Sequence, residues 1–324
     1  MKAIHLTAYG NPAQNLKLVE VSEPKAPSAS EALVRMEYAP INSSDLLFAK
    51  GFYFLNPKLP SVIGGEGAGI VEAIGPGVTS VKIGDRVTIP FRTFTWAEKV
   101  LAPAGGLFVV PPSIDAKTAS MLNINPVTAV LLLNEFVTLK PGDWIVLNAA
   151  NSHVARCLIA TVKSRGLRIA GIVRRPELIP EIEALGADFV GIESPELSQQ
   201  IQTTTGVMPI RLGLDAVGGP ATAAIASVLA PGGHLVTYAQ MSGLPIQVRQ
   251  GDLIGKRLNI HGFWMYYEEY LPKIPAALTE ATRLVASGKL TLPMTATYKP
   301  SEIKEAIEHS QRGAKVLLDF NKPN

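Results

Sequence analysis

The chain has 324 residues, of which 47% are apolar and 18% charged, and its formal net charge at pH 7 is +3. This length allows two domains with sizeable cores, and the composition excludes a disordered chain. The basic residues form no long run, so a nucleic-acid partner is not expected. The one cysteine, Cys157, excludes an internal disulfide and a cysteine-rich zinc site.

The N-terminus enters a strand-like pattern at once. It has neither the apolar region of a signal peptide nor an Arg- and Ser-rich transit segment. No stretch approaches 18 uninterrupted apolar residues, so no membrane span is predicted. We therefore expect a cytoplasmic protein.

Up to about residue 120 the sequence has the pattern of short strands separated by turns. The strands are β-rich, bounded by Pro, Gly or Asp, and predicted at residues 16–21, 32–38, 70–74, 86–90 and 107–110. Many short strands in one block indicate a separate β-rich domain. An apolar helical pattern at 116–138, interrupted at Asn125-Pro126, leads out of it.

A strand–helix–strand pattern follows at residues 144–173. An apolar run at 144–150 is followed by apolar residues at helical spacing from Val154 to Val162, and then by a second apolar run at 168–173. The crossover forces the two strands to be parallel. In such a unit the first strand-to-helix turn commonly receives a dinucleotide pyrophosphate, because unpaired helix N–H groups point at the anion.

Further strands and helices alternate with short connections as far as residue 264. Strands are predicted at 189–192, 212–216, 234–238 and 258–263, with helices at 176–185, 197–203 and 220–229. This alternation is typical of an α/β doubly wound parallel sheet. The sequence therefore predicts a dinucleotide-binding domain at 123–264, and a β-rich domain made from residues 1–122 and 265–324.

The turn after the first strand of this domain lacks the expected glycines. His153 and Ala155 stand where a glycine fingerprint would put them, which leaves Asn151, Ser152, His153 and Val154 as candidate phosphate ligands. His153 and Arg156 could supply hydrogen bonds of their own. The alternative is an ordinary helix start, with Asn151 or Ser152 as N-cap.

Arg174 and Arg175 end the second strand of this unit, where an acidic residue would bind the ribose of NAD. Two guanidiniums suit a 2′-phosphate through charge-assisted hydrogen bonds, so NADPH is the favoured cofactor. The alternative is a solvated basic segment before a helix.

Nearly the whole chain resembles the medium-chain dehydrogenase/reductase superfamily. Within it, the chain is most similar to the zinc-free 2-enoyl thioester (enoyl-CoA or enoyl-ACP) reductases of the mitochondrial type, although quinone reductases share several segments. The likeness is carried by residues 41–45 (INSSD), 50–53 (KGFY), 125–129 (NPVTA), 148–152 (NAANS), 215–219 (DAVGG), 236–238 (VTY) and 262–264 (GFW). The resemblance implies a Rossmann-type domain, a GroES-like catalytic domain, and a homodimer formed through an edge strand of the cofactor sheet.

No metal is predicted. Zinc alcohol dehydrogenases that resemble this chain carry a Gly-His-Glu element, whereas the sequence here is Gly64-Gly65-Glu66. A catalytic zinc needs about three protein ligands, and the scattered histidines supply no cluster.

Without a metal, reduction of an enoyl thioester needs another group to stabilise and protonate the enolate-like species that hydride addition produces. The resemblance implies that Tyr53 does this, since a phenol is protonated at pH 7 and can donate. The alternative is that Tyr53 belongs to an aromatic cover formed with Phe48, Phe52 and Phe54.

The resemblance also implies cofactor contacts outside the phosphate turn. The residues concerned are Asn42, Asn125, Thr128, Tyr238, Met241, Phe263, Trp264 and Lys315. Six of these eight residues have an ordinary alternative: a cap or turn for Asn42, Asn125 and Thr128, core packing for Phe263 and Trp264, and solvation for Lys315.

Three functions compete. The first is an NADPH-dependent reductase of activated C=C bonds, acting on a 2-enoyl thioester. The second is an NADPH:quinone reductase, which needs no proton donor at Tyr53. The third, suggested by the lost glycines, is a catalytically silent member of the fold.

Overall fold

The computed structural model describes residues 1–206 and 208–321 and divides into two compact units. The first consists of Met1–Ile124 and Thr291–Asn324, and the second of Asn125–Leu290. No helix in the described part of the chain is long and apolar enough to span a membrane.

Short strands make up most of the first unit before residue 124. They are β1 Lys2–Leu6, β2 Leu16–Glu20, β3 Glu31–Ile41, β4 Ser61–Val62, β5 Ala68–Ile74, β6 Arg86–Thr88, β7 Lys99–Pro103 and β8 Phe108–Val109. Three short helices lie among them: α1 Pro12–Asn15, α2 Ser43–Lys50 and α3 Ala116–Ala119. The helical pattern predicted over 116–138 is therefore split, and its second part opens the next unit.

The second unit alternates helices and strands. Its elements are α4 Asn125–Asn134, β9 Trp144–Leu147, α5 His153–Ser164, β10 Arg168–Val173, α6 Ile179–Ala184, β11 Phe189–Ile192, α7 Leu197–Thr205, β12 Ile210–Asp215, α8 Pro220–Val228, β13 His234–Thr237, α9 Gln250–Lys256, β14 Asn259–Gly262 and α10 Ile274–Ala286. The chain then returns to the first unit as β15 Ala296–Tyr298, α11 Ile303–Gln311 and β16 Val316–Asp319.

The sheet of the second unit is parallel throughout, in the order β11-β10-β9-β12-β13-β14. The strand order reverses between β9 and β12, which is the switch point where ligands of doubly wound sheets bind. The predicted α/β doubly wound fold is confirmed. The helix α9 was not predicted, because it buries no side chain and so shows no apolar periodicity.

The helix α5 forms between clear start and stop signals. The side chain of Ser152 caps its N-terminus, and Gly166, just beyond its end, has a φ of +69°, which favours glycine. Cys157, Leu158, Ile159 and Val162 form its buried face. Burial of side chains against α4 and β10, more than helix propensity, stabilises α5.

The first unit contains two sheets. One has three strands in the order β2-β1-β4; the other runs β15-β16-β3-β5-β6-β8, with β7 also paired to β3. The C-terminal segment enters this unit because β16 pairs antiparallel with β3, setting Val316 opposite Ile41. The sequence predicts residues 265–324 in this unit, whereas residues 265–290 lie in the second. The reason is that α10 packs its apolar face, including Leu278 and Ala281, against α4.

Candidate active site

In the second unit, the turn from β9 to α5 lies at the carboxyl edge of the sheet. Its N-cap is Ser152, whose Oγ accepts a hydrogen bond from the N–H of Ala155 at 3.2 Å. Ala149 has a φ of +47°, a left-handed conformation that costs a non-glycine residue about 1 kcal/mol. Asn151 is exposed, while His153 and Val154 are half-buried in the first turn of the helix. The turn therefore presents the start of a 12-residue helix at the switch point.

The close packing that a loop glycine would allow is provided here by the neighbouring strand. Ala150 and Ala155 are fully buried. A Cβ built on Gly171 of β10 would lie 2.9 Å from the Cβ of Ala150, which is too close for two carbon atoms. Gly171 thus makes room for Ala150, and the turn keeps a tight path without glycines of its own.

A buried carboxylate ties the ends of β9 and β12 together. Asp215 accepts hydrogen bonds from the Nδ2 of Asn148 at 2.6 Å and from the Oγ1 of Thr222 at 2.6 Å, and from two backbone N–H groups. The Oδ1 of Asn148 accepts in turn from the N–H of Ala216 at 2.8 Å. This network ties the loop after β9 to the loop after β12 at the switch point. Sequence reasoning noticed these residues only as parts of two motifs.

Tyr238 follows β13 at the same edge. Its hydroxyl is buried and has no hydrogen-bond partner among the described residues. Burial raises its pKa well above the usual value and the charge of Asp215 adds to this, while the side chain of Ser152 has a smaller opposite effect. The hydroxyl therefore lies beside the N-terminal cap of α5. A buried hydroxyl without a partner is costly, so it marks a place where a ligand atom could complete the structure.

The two arginines after β10 differ from the arginine in α5. Arg174 is exposed and forms no ion pair with any residue the structure describes. Arg175 is also exposed and lies 3.7 Å from a carboxylate oxygen of Glu177. Arg156 is paired with Glu181 of α6, so its guanidinium is already engaged and the expectation that it assists at the turn is not supported. Both arginines are accessible to an anion, and Arg174 has no competing ion pair with a described residue.

The other candidates of the second unit are distributed between its core and its surface. Thr128 is buried in α4, and its hydroxyl donates to the sulfur of Met265; Asn125 is half-buried at the start of that helix. Phe263 is buried against the rings of Phe136 and Tyr270. Trp264 packs edge-on against Tyr266 and Tyr267, whereas Met241 is largely exposed. Core packing accounts for the side chain of Phe263.

In the first unit, four polar side chains form a buried cluster. Glu66 is 0% exposed; its Oε1 accepts from the Nδ2 of Asn42 at 2.8 Å, and its Oε2 from the N–H of Ile124 at 2.9 Å. Lys315, 5% exposed, donates to the Oδ1 of Asn42, and its Nζ lies 3.9 Å from Glu66. Lys315 is therefore not a solvated lysine.

Asp45 completes this cluster from the first turn of α2. Its Oδ2 accepts from the N–H of Asn42 at 2.8 Å and its Oδ1 from the N–H of Gly65 at 2.9 Å, so it fixes the start of the helix. Burial raises its pKa to about 7, and the negative charge of Glu66 adds to the shift. Burial also raises the pKa of Glu66, against the opposing effects of Lys315 and Asn42.

Tyr53 lies in the loop after α2, half-buried among aromatic rings. Its ring centroid is 6.3 Å from that of Phe48 and 5.4 Å from that of Phe54. Phe48 is buried against Phe94, while Phe52 and Phe54 are 70% and 67% exposed. These contacts pack the Tyr53 ring against two phenylalanines, and its partial exposure is compatible with contact to a substrate.

Comparison with known proteins gives the same order of domains along the chain. Residues 28–111 match the family described as "Alcohol dehydrogenase GroES-like domain", and residues 154–287 the one described as "Zinc-binding dehydrogenase". Although that description mentions zinc, no group of three or more His, Cys, Asp or Glu side chains within residues 1–206 and 208–321 could hold a metal ion.

Similar proteins cover almost the whole chain. The mitochondrial enoyl-[acyl-carrier-protein] reductase of Dictyostelium discoideum is 32% identical over 331 residues, covering 98% of this chain and 95% of the relative. A proposed NADPH:quinone reductase from Bacillus thuringiensis has a TM-score of 0.90 at 29% identity, covering 98% of each chain. The complex of Etr1p with NADP and crotonyl-CoA has a TM-score of 0.88 at 23% identity, covering 98% of this chain and 99% of the other; this likeness shows the fold alone.

The relatives contradict the cytoplasmic location predicted from the sequence. The Dictyostelium enzyme is named as mitochondrial. The prediction depended on the lack of a leader, but leaders are removed on import, so their absence from a sequence does not decide the compartment. The prediction of a cytoplasmic protein is therefore wrong.

Proposed function

The chain belongs to the medium-chain dehydrogenase/reductase superfamily of oxidoreductases, in its zinc-free branch, and on that basis we propose that it is an NADPH-dependent 2-enoyl thioester reductase. The observation that carries the proposal is the match to an enoyl-[acyl-carrier-protein] reductase over 98% of the chain. The features of the switch point fit the nicotinamide cofactor of this family.

The second unit offers three features that suit NADPH. Asn151, Ser152, His153 and Val154 lie at the N-terminus of α5, where backbone donors and the helix dipole favour a pyrophosphate. The unpartnered hydroxyl of Tyr238 lies beside this helix start and can donate to the same anion. Arg174 and Arg175 can form charge-assisted hydrogen bonds with a 2′-phosphate, which NADH lacks. The first two features suit either nicotinamide dinucleotide, and the two arginines support NADPH over NADH.

The remaining cofactor contacts are proposed on the family resemblance. They are Asn42 and Lys315 in the first unit, and Asn125, Thr128, Met241, Phe263 and Trp264 in the second. Because the ring of Phe263 is engaged in the core, only its main chain is available to a ligand. The bound nicotinamide supplies a hydride to the β-carbon of the substrate.

Tyr53 is proposed to act on the substrate after that transfer. Negative charge develops on the thioester oxygen and the α-carbon, and it must be stabilised and then neutralised by a proton. A phenol with a reference pKa near 10 is protonated at pH 7, so the Tyr53 hydroxyl can donate to the enolate and pass a proton to the α-carbon. The aromatic contacts of its ring limit the orientations available to this hydroxyl.

Replacement of Tyr53 by phenylalanine tests this assignment. Tyr53→Phe should lower kcat for an enoyl thioester such as crotonyl-CoA by about 10²-fold or more, with NADPH affinity unchanged. Tyr298→Phe is the matched control, because it removes a hydroxyl that is bonded to His309 in the same unit. Undiminished turnover of Tyr53→Phe with intact NADPH binding would remove Tyr53 from this role.

A quinone reductase is the alternative favoured by a specific finding, the structural match at 29% identity to a proposed NADPH:quinone reductase. Such an activity does not need a proton donor at Tyr53. Purified protein that reduces quinones faster than enoyl thioesters, with a Tyr53→Phe variant as active as wild type, would establish this alternative. Failure to bind NADPH at micromolar concentration would instead favour a silent member of the fold.

We also propose a homodimer formed through the outer edge of the second unit's sheet. The edge strand β14 is largely exposed, and Ile254 of α9 and Ile260 of β14 present apolar side chains to solvent. An exposed apolar edge strand is a template for pairing with another chain.

A further inference from the structure

The buried cluster of the first unit contains a carboxylate that the proposed reaction does not use directly. Glu66 is fully buried, so it has no surface to offer to cofactor or substrate. It bonds to Asn42 through one oxygen and to the backbone of Ile124 through the other. Burying the charge of a carboxylate is costly unless that charge is paired, so Glu66 must interact closely with the polar groups around it.

Strand pairing brings two other members of the cluster, Asn42 and Lys315, together. Val316 of β16 is opposite Ile41 of β3, so the residues beside them, Lys315 and Asn42, are neighbours although they are 273 positions apart in sequence. Glu66, between β4 and β5, then lies within reach of both. One carboxylate therefore connects three distant segments.

The charges in this cluster allow the Asn42 amide a single orientation. Its Oδ1 faces the Lys315 ammonium, and its Nδ2 faces the Glu66 carboxylate. Rotating the amide by half a turn would put an N–H against the ammonium and an oxygen against the carboxylate, both of which are repulsive. The second N–H of this amide has no partner among the described residues. It is a donor aimed in a defined direction.

We propose that Glu66 is a positioning residue for the nicotinamide cofactor, holding the Asn42 amide and the Lys315 ammonium in the orientation in which they meet it. The inference rests on the proposed function, which assigns these two side chains to the cofactor. Glu66 itself touches no ligand. Its charge sets the direction of the amide and keeps the ammonium close by.

The variant Glu66→Gln tests the proposal, because it keeps the shape of the side chain and removes its charge. NADPH binding is measured by quenching of tryptophan fluorescence from about pH 6 to about pH 9.5, a range that includes the raised pKa of Asp45, about 7, and approaches the ordinary titration of lysine. We expect a Kd about tenfold weaker than wild type at neutral pH, equivalent to about 1.4 kcal/mol. As the pH is raised, the variant should lose NADPH binding at a lower pH than wild type does. The reason is that removing the carboxylate favours the neutral form of Lys315.

The matched control is Asp45→Asn. Asp45 is buried in the same cluster and is the other titratable group that acts on Glu66 and Lys315, but it bonds only to backbone N–H groups. A loss of packing alone would make both variants less stable and leave the pH profile of NADPH binding unchanged in both. The proposal expects a larger change of profile for Glu66→Gln than for Asp45→Asn, because Glu66 bonds to the Asn42 side chain and lies 3.9 Å from the Lys315 ammonium, whereas Asp45 bonds to backbone N–H groups. A wild-type Kd and pH profile for Glu66→Gln would overturn it.

A second set of variants covers the case in which Glu66→Gln fails to fold. Lys315→Met alone and the double variant Glu66→Gln/Lys315→Met are compared, and the double variant leaves neither charge buried without its partner. If Glu66 acts through Lys315, the double variant should bind NADPH about as weakly as Lys315→Met. A Kd for the double variant within twofold of wild type would refute the proposal. Wild-type protein that does not bind NADPH would refute the proposed function as well.

Discussion

Replacing Tyr238 by phenylalanine is expected to stabilise the cofactor-free protein and to weaken its binding of NADPH. The hydroxyl is buried without a hydrogen-bond partner among the described residues, and its raised pKa reflects that burial. A buried polar group without a partner costs about 1–3 kcal/mol, and phenylalanine keeps the shape of the ring. We therefore expect the free energy of unfolding to rise by about 1 kcal/mol.

The substitution should have the opposite effect on the complex with NADPH, which it is expected to weaken. If the hydroxyl donates to a phosphate of NADPH, its removal deletes one hydrogen bond to a charged group, worth about 1.5–3 kcal/mol, so the Kd should rise by about tenfold or more. Thermal unfolding with and without NADPH measures both effects, because a bound ligand raises Tm according to its affinity. The expected pattern is a higher Tm without NADPH and a smaller increase when NADPH is added.

Thr282 of α10 provides the matched control, since its hydroxyl is likewise buried without a hydrogen-bond partner in the described part of the chain. Thr282→Val should stabilise the protein to a similar extent and leave the Kd of NADPH unchanged, because Thr282 is not a proposed ligand. A Tyr238→Phe variant that is less stable than wild type without cofactor, or that binds NADPH as tightly, would refute the reasoning.

Two further predictions concern charged groups. The double variant Arg174→Ala/Arg175→Ala should weaken NADPH binding by about tenfold or more and leave NADH binding nearly unchanged, because the two cofactors differ only in the 2′-phosphate. Fluorescence titration with each cofactor measures both affinities. Equal losses of affinity for NADPH and NADH would contradict the assignment. For Asp45, whose pKa is raised to about 7, the folded state binds the proton more tightly than the unfolded chain. Its contribution to stability is therefore present at acid pH and lost as pH rises from about 4 to about 7. The Tm of wild type minus the Tm of Asp45→Asn should accordingly decrease as the pH rises over that range. A value that increases with pH would refute the shift.

Much of the second unit could be predicted because its signals are local. The strands β9 and β10 are continuous apolar runs, and α5 lies between a serine cap and a glycine. A window of about 30 residues therefore contains the whole strand–helix–strand segment. The crossover rule then makes the sheet parallel. The exposed arginines after β10 could be located in the same way, since the end of a strand places them at the edge of the sheet.

Contacts between distant segments could not be predicted. The amphipathic pattern of α10 indicates a buried face but not the element that covers it, so residues 265–290 were assigned to the wrong unit. Arg156 is a candidate ligand by position, and its pairing with Glu181 of α6 could not be predicted from the sequence. Lys315 has the sequence context of a solvated lysine, yet Glu66 and Asn42 surround it in the core.

The sequence by itself determined the fold class, the family and the turn at which a dinucleotide should bind, because periodicity, caps and motifs act over short stretches of chain. The tertiary structure alone decided which charges are paired and which hydroxyl is left without a partner. Lys315 and Asn42 are 273 positions apart, and only the pairing of β16 with β3 brings them into contact. The energy of a buried charge depends on such neighbours, and no local pattern contains them.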